Sequence, residues 1–186
     1  MDDIVKQAMA KWPNVPACSG WLGLDARGQW HLRDDVAQAC GSFASGNPGA
    51  KGALVRHEKL AEFIGRNYLA ESDGRWFFQN GPQRVYVELE CTPWVWRLRW
   101  DGTSLALHSH VGVSLDARTV HAAMVDEEGR LYLALSQGLG LVHTQDMLDA
   151  ASALEAGLLP ACEEVLSDTL PKHYGFIRSP QMHKAG

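Results

Sequence analysis

Gln83-Arg84-Val85-Tyr86-Val87-Glu88-Leu89-Glu90 reads as a β-strand, and the rest of the fold is built outward from it. Val85, Val87 and Leu89 alternate with Arg84, Tyr86, Glu88 and Glu90, and successive side chains on a strand leave opposite faces. The apolar trio is therefore the core face and the polar set the outer one. Pro82 stands at the strand start, where a missing N–H does little harm. Upstream, Asn80-Gly81 is a tight turn, because both residues tolerate positive φ, and it joins this strand to Arg75–Gln79. Downstream, Trp94, Trp96, Leu98 and Trp100 alternate with Val95, Arg97 and Arg99, and Asp101-Gly102 turns the chain into Leu105–His108. Hairpin following hairpin predicts a central β-meander. The tryptophans at period two are expected to form its core face.

Toward the N-terminus, Asp2 or Asp3 caps a helix with Ile4, Ala8, Met9 and Trp12 along one face, and Pro13 ends it. Trp21–Leu24 and Gln29–Leu32 predict a hairpin, followed by a short helix near residues 34–41 and a glycine-rich loop from Ser42 to Gly52. Leu54–Leu69 reads as the clearest helix, with Leu60, Phe63, Ile64 and Tyr68 on its apolar stripe. Toward the C-terminus, His121–Val125 and Arg130–Leu135 form another hairpin. Thr144 caps a helix that stops at Gly157, and Pro160 opens a last short helix holding Val165 and Leu166. The tail from Pro171 is expected to pack back before fraying.

Three segments share a form: Asp25-Ala26-Arg27-Gly28-Gln29-Trp30, Glu71-Ser72-Asp73-Gly74-Arg75-Trp76 and Asp126-Glu127-Glu128-Gly129-Arg130-Leu131. The first and third also precede a Leu-Val pair, Leu54-Val55 and Leu141-Val142. Two readings stand: a duplication of a hairpin-plus-helix unit, or the ordinary preference of hairpins for acidic residues and glycine. The fold class expected is α+β, an antiparallel meander with hairpin-plus-helix units. Residues 1–116 and 117–186 are the two parts, sharing one core.

A chain of 186 residues with 46% apolar and 21% charged residues can bury a core without staples. Net charge is −5, from 17 basic and 22 acidic residues, and the basic ones are scattered, which speaks against a nucleic-acid partner. The four cysteines form no Cys-x-x-Cys pair, so reduced, mostly buried thiols are expected, and no metal or cofactor. The acidic start and the lack of any long apolar run predict no membrane partner and a cytoplasmic location.

Phe77-Phe78-Gln79-Asn80-Gly81-Pro82-Gln83-Arg84-Val85-Tyr86-Val87-Glu88-Leu89 with Thr92-Pro93-Trp94 resembles a proteobacterial family of unknown function. Trp12–Pro16, Trp21–Asp25 and Tyr174–Arg178 carry the same resemblance. More distantly the layout is similar to a second uncharacterised bacterial family, which implies an α+β fold with repeated motifs and a link to signalling. Neither resemblance supplies a catalytic residue. The loop from Gly41 to Gly52 is longer and richer in glycine than the family leads one to expect.

Familiar catalytic motifs are missing. Gly138-Leu139-Gly140 lacks the third glycine of a dinucleotide loop, and His57-Glu58-Lys59-Leu60-Ala61 puts alanine where a zinc helix needs its second histidine. Arg84, Tyr86 and Glu88 share a strand face beside Arg97 or Arg99. With Arg75 and His108 they make the candidate ligand site, arginines for a carboxylate or phosphate and Tyr86 as a flat wall. The competing reading is a solvated face of cross-strand ion pairs. The leading expectation is a non-catalytic, regulatory module binding a small anionic molecule or a protein. The alternative is a metal-assisted hydrolase using His108 and His110, with His121 or His143 as further ligands. A homo-oligomer built through the tryptophan strand is a third expectation.

Overall fold

The computed structural model describes residues 1–182, and the chain divides into two units. The first comprises Met1–Asp25, Gln29–Cys91 and the chain from Gly175 onward; the second comprises Ala26–Gly28 and Thr92–Tyr174. The break therefore falls after Cys91, not after Asp116. The reason lies in strand pairing: Trp94–Trp100 bonds with Gly138–Val142, and the two strands that follow it up to Asp116 join the same sheet through it.

The first unit contains α1 (Asp3–Lys11), β1 (Cys18–Leu24), β2 (Trp30–Leu32), α2 (Asp35–Ala39), β3 (Ala53–Leu54), α3 (Glu58–Arg66), β4 (Tyr68–Ala70), β5 (Trp76–Asn80) and β6 (Gln83–Leu89). Its sheet runs β3-β2-β1-β6-β5-β4. Two antiparallel meanders, β1-β2-β3 and β4-β5-β6, are joined by parallel pairing of β1 with β6. The second unit contains β7 (Trp94–Trp100), β8 (Leu105–Ser109), β9 (Ser114–Asp116), β10 (Ala122–Val125), β11 (Leu131–Leu135), β12 (Gly138–Val142), α4 (Met147–Glu155), β13 (Cys162–Glu164) and α5 (Leu170–Tyr174). Its sheet runs β9-β8-β7-β12-β11-β10-β13. Again two antiparallel meanders are joined by one parallel pair, here β7 with β12.

The α+β class holds, with largely antiparallel sheets, and one topology occurs twice. The expected single central meander does not: β6 pairs with β1 and β5, whereas β7 pairs with β8 and β12. The equivalent turns are the second and third of the three acidic segments, not the first and third. Glu71 N–H donates to Arg75 O at 2.8 Å and Asp126 N–H to Arg130 O at 3.1 Å. In both, the arginine side chain returns to the acid, at 2.8 Å for Arg75 and 2.7 Å for Arg130. Gly74 (φ 88°) and Gly129 (φ 75°) supply the left-handed residue that a three-residue hairpin loop requires.

Strand β6 is central, so both of its faces are covered. Val87 and Leu89 are buried as expected, but so are Tyr86 and Glu88. In the second unit Trp96, Leu98, Leu107 and Leu133 anchor the core. Trp94 is partly buried and stacks on Trp96 at 5.6 Å. Gly140 is where it is because of Trp96: a Cβ there would stand 2.3 Å from the indole.

Several local expectations are corrected. Helix α1 buries Val5 and partly buries Ala8 and Met9, while Ile4 and Trp12 stay exposed, so Val5 takes the place expected of Ile4 on the apolar stripe. The clearest helix is only Glu58–Arg66; Leu54 and Tyr68 belong to strands. His143, not Thr144, caps the turn leading into α4, with its Nδ1 accepting from Gln145 N–H at 3.1 Å. Cys162–Glu164 is a strand where a helix was expected, because β10 offers it an open edge. The four cysteines are not joined in disulfides, and of them only Cys91 is buried. The tail packs back, with Ile177 N–H on Gly74 O at 2.9 Å and Leu89 N–H on Arg178 O at 2.7 Å. Its expected fraying concerns residues 183–186, outside the described chain. Among the described residues no helix is long and apolar enough to cross a membrane.

Candidate functional site

The β5–β6 hairpin carries the site. Its register pairs Phe77 with Tyr86, Gln79 with Arg84 and Asn80 with Gln83. Strand alternation therefore sends Phe77, Gln79, Arg84, Tyr86 and Glu88 to one face, and Phe78, Asn80, Gln83 and Val85 to the other.

On the first of these faces the charges gather around Glu71. Its Oε2 accepts from Arg75 Nη2 at 2.8 Å and from the Tyr86 hydroxyl at 2.9 Å. Its Oε1 takes Arg84 Nη1 at 2.5 Å. Arg75 also reaches Asp73 at 2.7 Å, and its guanidinium lies 4.4 Å above the Tyr86 ring. Burial would lower the Arg75 pKa, but the Asp73 hydrogen bond and the surrounding negative charge raise it. Burial, then the Glu71 bond, pushes the Tyr86 phenol up. Tyr86 is thus a neutral donor and Arg75 a fixed cation with committed donors. Arg84 differs. It is half-exposed, and among the described residues its Nε and Nη2 take no other acceptor.

Arg84 opens into a recess of about 330 Å³ walled by Met9 of α1, by Trp12 and Pro13 just beyond it and by Pro82. Gln79 lines the same recess and is 1% exposed. Its amide donates through Nε2 to Gly81 O at 2.9 Å, but Oε1 is buried and, among the described residues, receives no hydrogen bond. An unsatisfied buried acceptor costs about 1–3 kcal/mol, so such atoms are few and call for an explanation.

The remaining predicted residues lie apart from this group. Glu88 is buried two residues along β6. Its carboxylate accepts from Ser179 Oγ at 2.5 Å and Gln181 N–H at 2.9 Å. Burial raises its pKa despite those bonds and the charge of Arg33. Arg97 and His108 are in the second unit, opposite one another on β7 and β8. Arg97 grips Asp146 at 2.6 and 3.0 Å, and His108 Nδ1 pairs with Ser114 Oγ at 3.0 Å. The expected neighbourhood of Arg84 and Arg97 fails because β6 and β7 belong to different sheets.

His108 and His110 have separate partners. His110 Nδ1 accepts from Val95 N–H at 3.3 Å, whereas His108 is exposed beside Ser114. Among the described residues no group of three or more His, Cys, Asp or Glu side chains is placed to hold a metal ion. His57, at the start of the zinc-like segment, serves as the helix cap of α3, accepting from Leu60 N–H at 3.3 Å.

Sequence reasoning missed Glu71, Gln79 and Trp12 as parts of one site. Counting register back from the Asn80-Gly81 turn would have placed Gln79 opposite Arg84. Nothing local announces that α1 roofs them.

A family model named DUF2944, with the description "Protein of unknown function (DUF2946)", matches residues 1–181. No curated protein matches the chain. Two solved structures are similar to it in part. A DUF1285 family protein from Silicibacter pomeroyi DSS-3 aligns with TM-score 0.48 at 14% identity, covering 75% of this chain and 72% of its own. One from Shewanella baltica OS155 aligns with TM-score 0.44 at 14% identity, covering 75% and 97%.

Proposed function

Because the chain belongs to the DUF2944 family, whose function is unknown, we propose a reading from its geometry alone: a non-catalytic binding module for a small anionic molecule. The observation that supports it most is the pair Gln79 and Arg84, an acceptor without a donor beside a cation with donors to spare. Side chains directly opposite on neighbouring strands start roughly 5 Å apart, close enough to meet one ligand headgroup. The ligand class that answers both is a carboxylate carrying an adjacent N–H or O–H, such as a hydroxy or amino acid. Its anionic end takes Arg84 and its donor takes Gln79 Oε1, while Met9, Trp12 and the prolines receive the apolar part. Oε1 is shielded from bulk water, so binding requires the side chains that cover it to move. Among the described residues, those lining the recess include no Ser, Thr, Cys, His, Asp, Glu or Lys, which favours binding over turnover.

Thermal-shift screening of hydroxy and amino carboxylates, followed by calorimetry, tests this. A binder raises the melting temperature. Arg84→Ala abolishes the gain, and Gln79→Met weakens binding by about 5- to 150-fold, the worth of 1–3 kcal/mol. A binder whose affinity is the same in both variants refutes the reading.

A further inference from the structure

The opposite face of the same hairpin holds a second cleft, of about 490 Å³, within the size range of small-molecule sites. Its floor is Leu22, Phe78 and Val85 of the sheet, and its wall is Leu60 and Ile64 of α3. Leu22 and Ile64 are each 1% exposed, so the cleft reaches into the core. At the mouth stand Trp21 (44% exposed), Leu32 (48%) and Leu60 (36%), three large apolar side chains left in water around one opening. Scattered exposed hydrophobics are ordinary, but a ring of them about a concavity is not. Among the described residues no charged side chain lines the cleft. Its polar groups are the amides of Asn80 and Gln83, a cross-strand pair at one end, and the Cys18 thiol. Gln83 gives its Nε2 to Pro16 O at 3.1 Å.

We propose that this cleft binds a small uncharged molecule: a hydrocarbon body, aliphatic or aromatic, with one neutral hydrogen-bonding group directed at Asn80. The lining selects for this class. An anion entering would find no cation, and would be stripped of water without compensation. A hydrocarbon body would cover the mouth residues and remove their apolar surface from water. The site is separate from the Arg84 recess. β5 and β6 put alternate side chains into the two, so either site can fail without the other.

The test uses the full chain, N-phenyl-1-naphthylamine as a neutral fluorescent probe, and alkylation of Cys18 read by mass spectrometry. Probe fluorescence is expected to rise. 1-Decanol should displace the probe at concentrations at least tenfold lower than decanoate does. Saturating 1-decanol should slow iodoacetamide labelling of Cys18 at least fivefold and leave the exposed Cys162 unchanged. Leu60→Glu, at a surface helix position, should abolish probe binding while Arg84→Ala leaves it intact. Trp21→Ala is the second variant, should Leu60→Glu fail to fold, and should weaken the probe at least fivefold. Equal competition by decanoate, or unprotected Cys18, overturns the proposal. So does a concentration-dependent dimer that Leu60→Glu dissolves, since the cleft would then be covered by a second copy of the chain.

Discussion

Gln79 keeps a buried carbonyl oxygen unpaired, and its opposite neighbour Arg84 is only partly neutralised. If the unmet acceptor serves a ligand, removing it should not harm the free protein. Gln79→Met loses one amide bond and one unsatisfied atom, so urea denaturation should show a change within about 1 kcal/mol. Asp146 is the contrasting residue. Burial would raise its pKa, but the Arg97 hydrogen bonds, the Leu98 N–H and nearby positive charge hold it below the usual range. A lowered carboxylate contributes stability above its unfolded value of about 3.9 and loses it as pH falls through the folded value. Asp146→Ala should therefore cost about 3 kcal/mol at pH 7, and the gap to the parent should narrow only in strong acid. Glu88 has the opposite sign. Its raised pKa means that the protonated folded form is favoured below about 4.3, and that this contribution is lost as pH rises through the folded value. Denaturation of Glu88→Gln between pH 4 and 7 should show the variant gaining on the parent as pH rises.

Among the elements, the strands were far more legible than the helices. Alternation at Val85-Tyr86-Val87 and the turns at Asn80-Gly81 and Asp101-Gly102 are local signals, and they place strands whatever packs on them. Partner choice is not local. Nothing in Trp94–Trp100 says that it pairs with Gly138–Val142 rather than with Gln83–Leu89, so the parallel joins were invisible. The polar face of β6 read as solvated because alternation cannot tell a wet face from one covered by a loop and a tail. Glu88 under Ser179 is the case in point. Of the candidate residues, Arg75, Arg84 and Tyr86 meet at Glu71, whereas Arg97 and His108 belong to the other sheet, because alternation along one strand does not say which strand pairs with it. The parallel join β7–β12 can be tested directly. A side chain at Gly140 must displace the Trp96 indole, which donates to Leu133 O at 2.9 Å. Gly140→Ala should destabilise the protein by about 3 kcal/mol in thermal or urea melts. A loss under roughly 0.5 kcal/mol would mean that the indole lies elsewhere.

For the whole molecule, the repeated 3-2-1-6-5-4 arrangement is the organising fact, and the first unit is completed by the end of the chain. Phe176 is buried there, Leu89 N–H is met by Arg178, and Glu88 receives two donors from the tail. Truncation after Tyr174 should cost about 3 kcal/mol or more, from the lost phenylalanine alone.

The most direct measurement of the binding reading is a crystal structure grown with the tightest carboxylate found by screening. The expected density places its anionic group on Arg84 Nε and Nη2 and an N–H or O–H about 3 Å from Gln79 Oε1. A carboxylate bound elsewhere, with Gln79 Oε1 still without a donor and the recess closed, would contradict it.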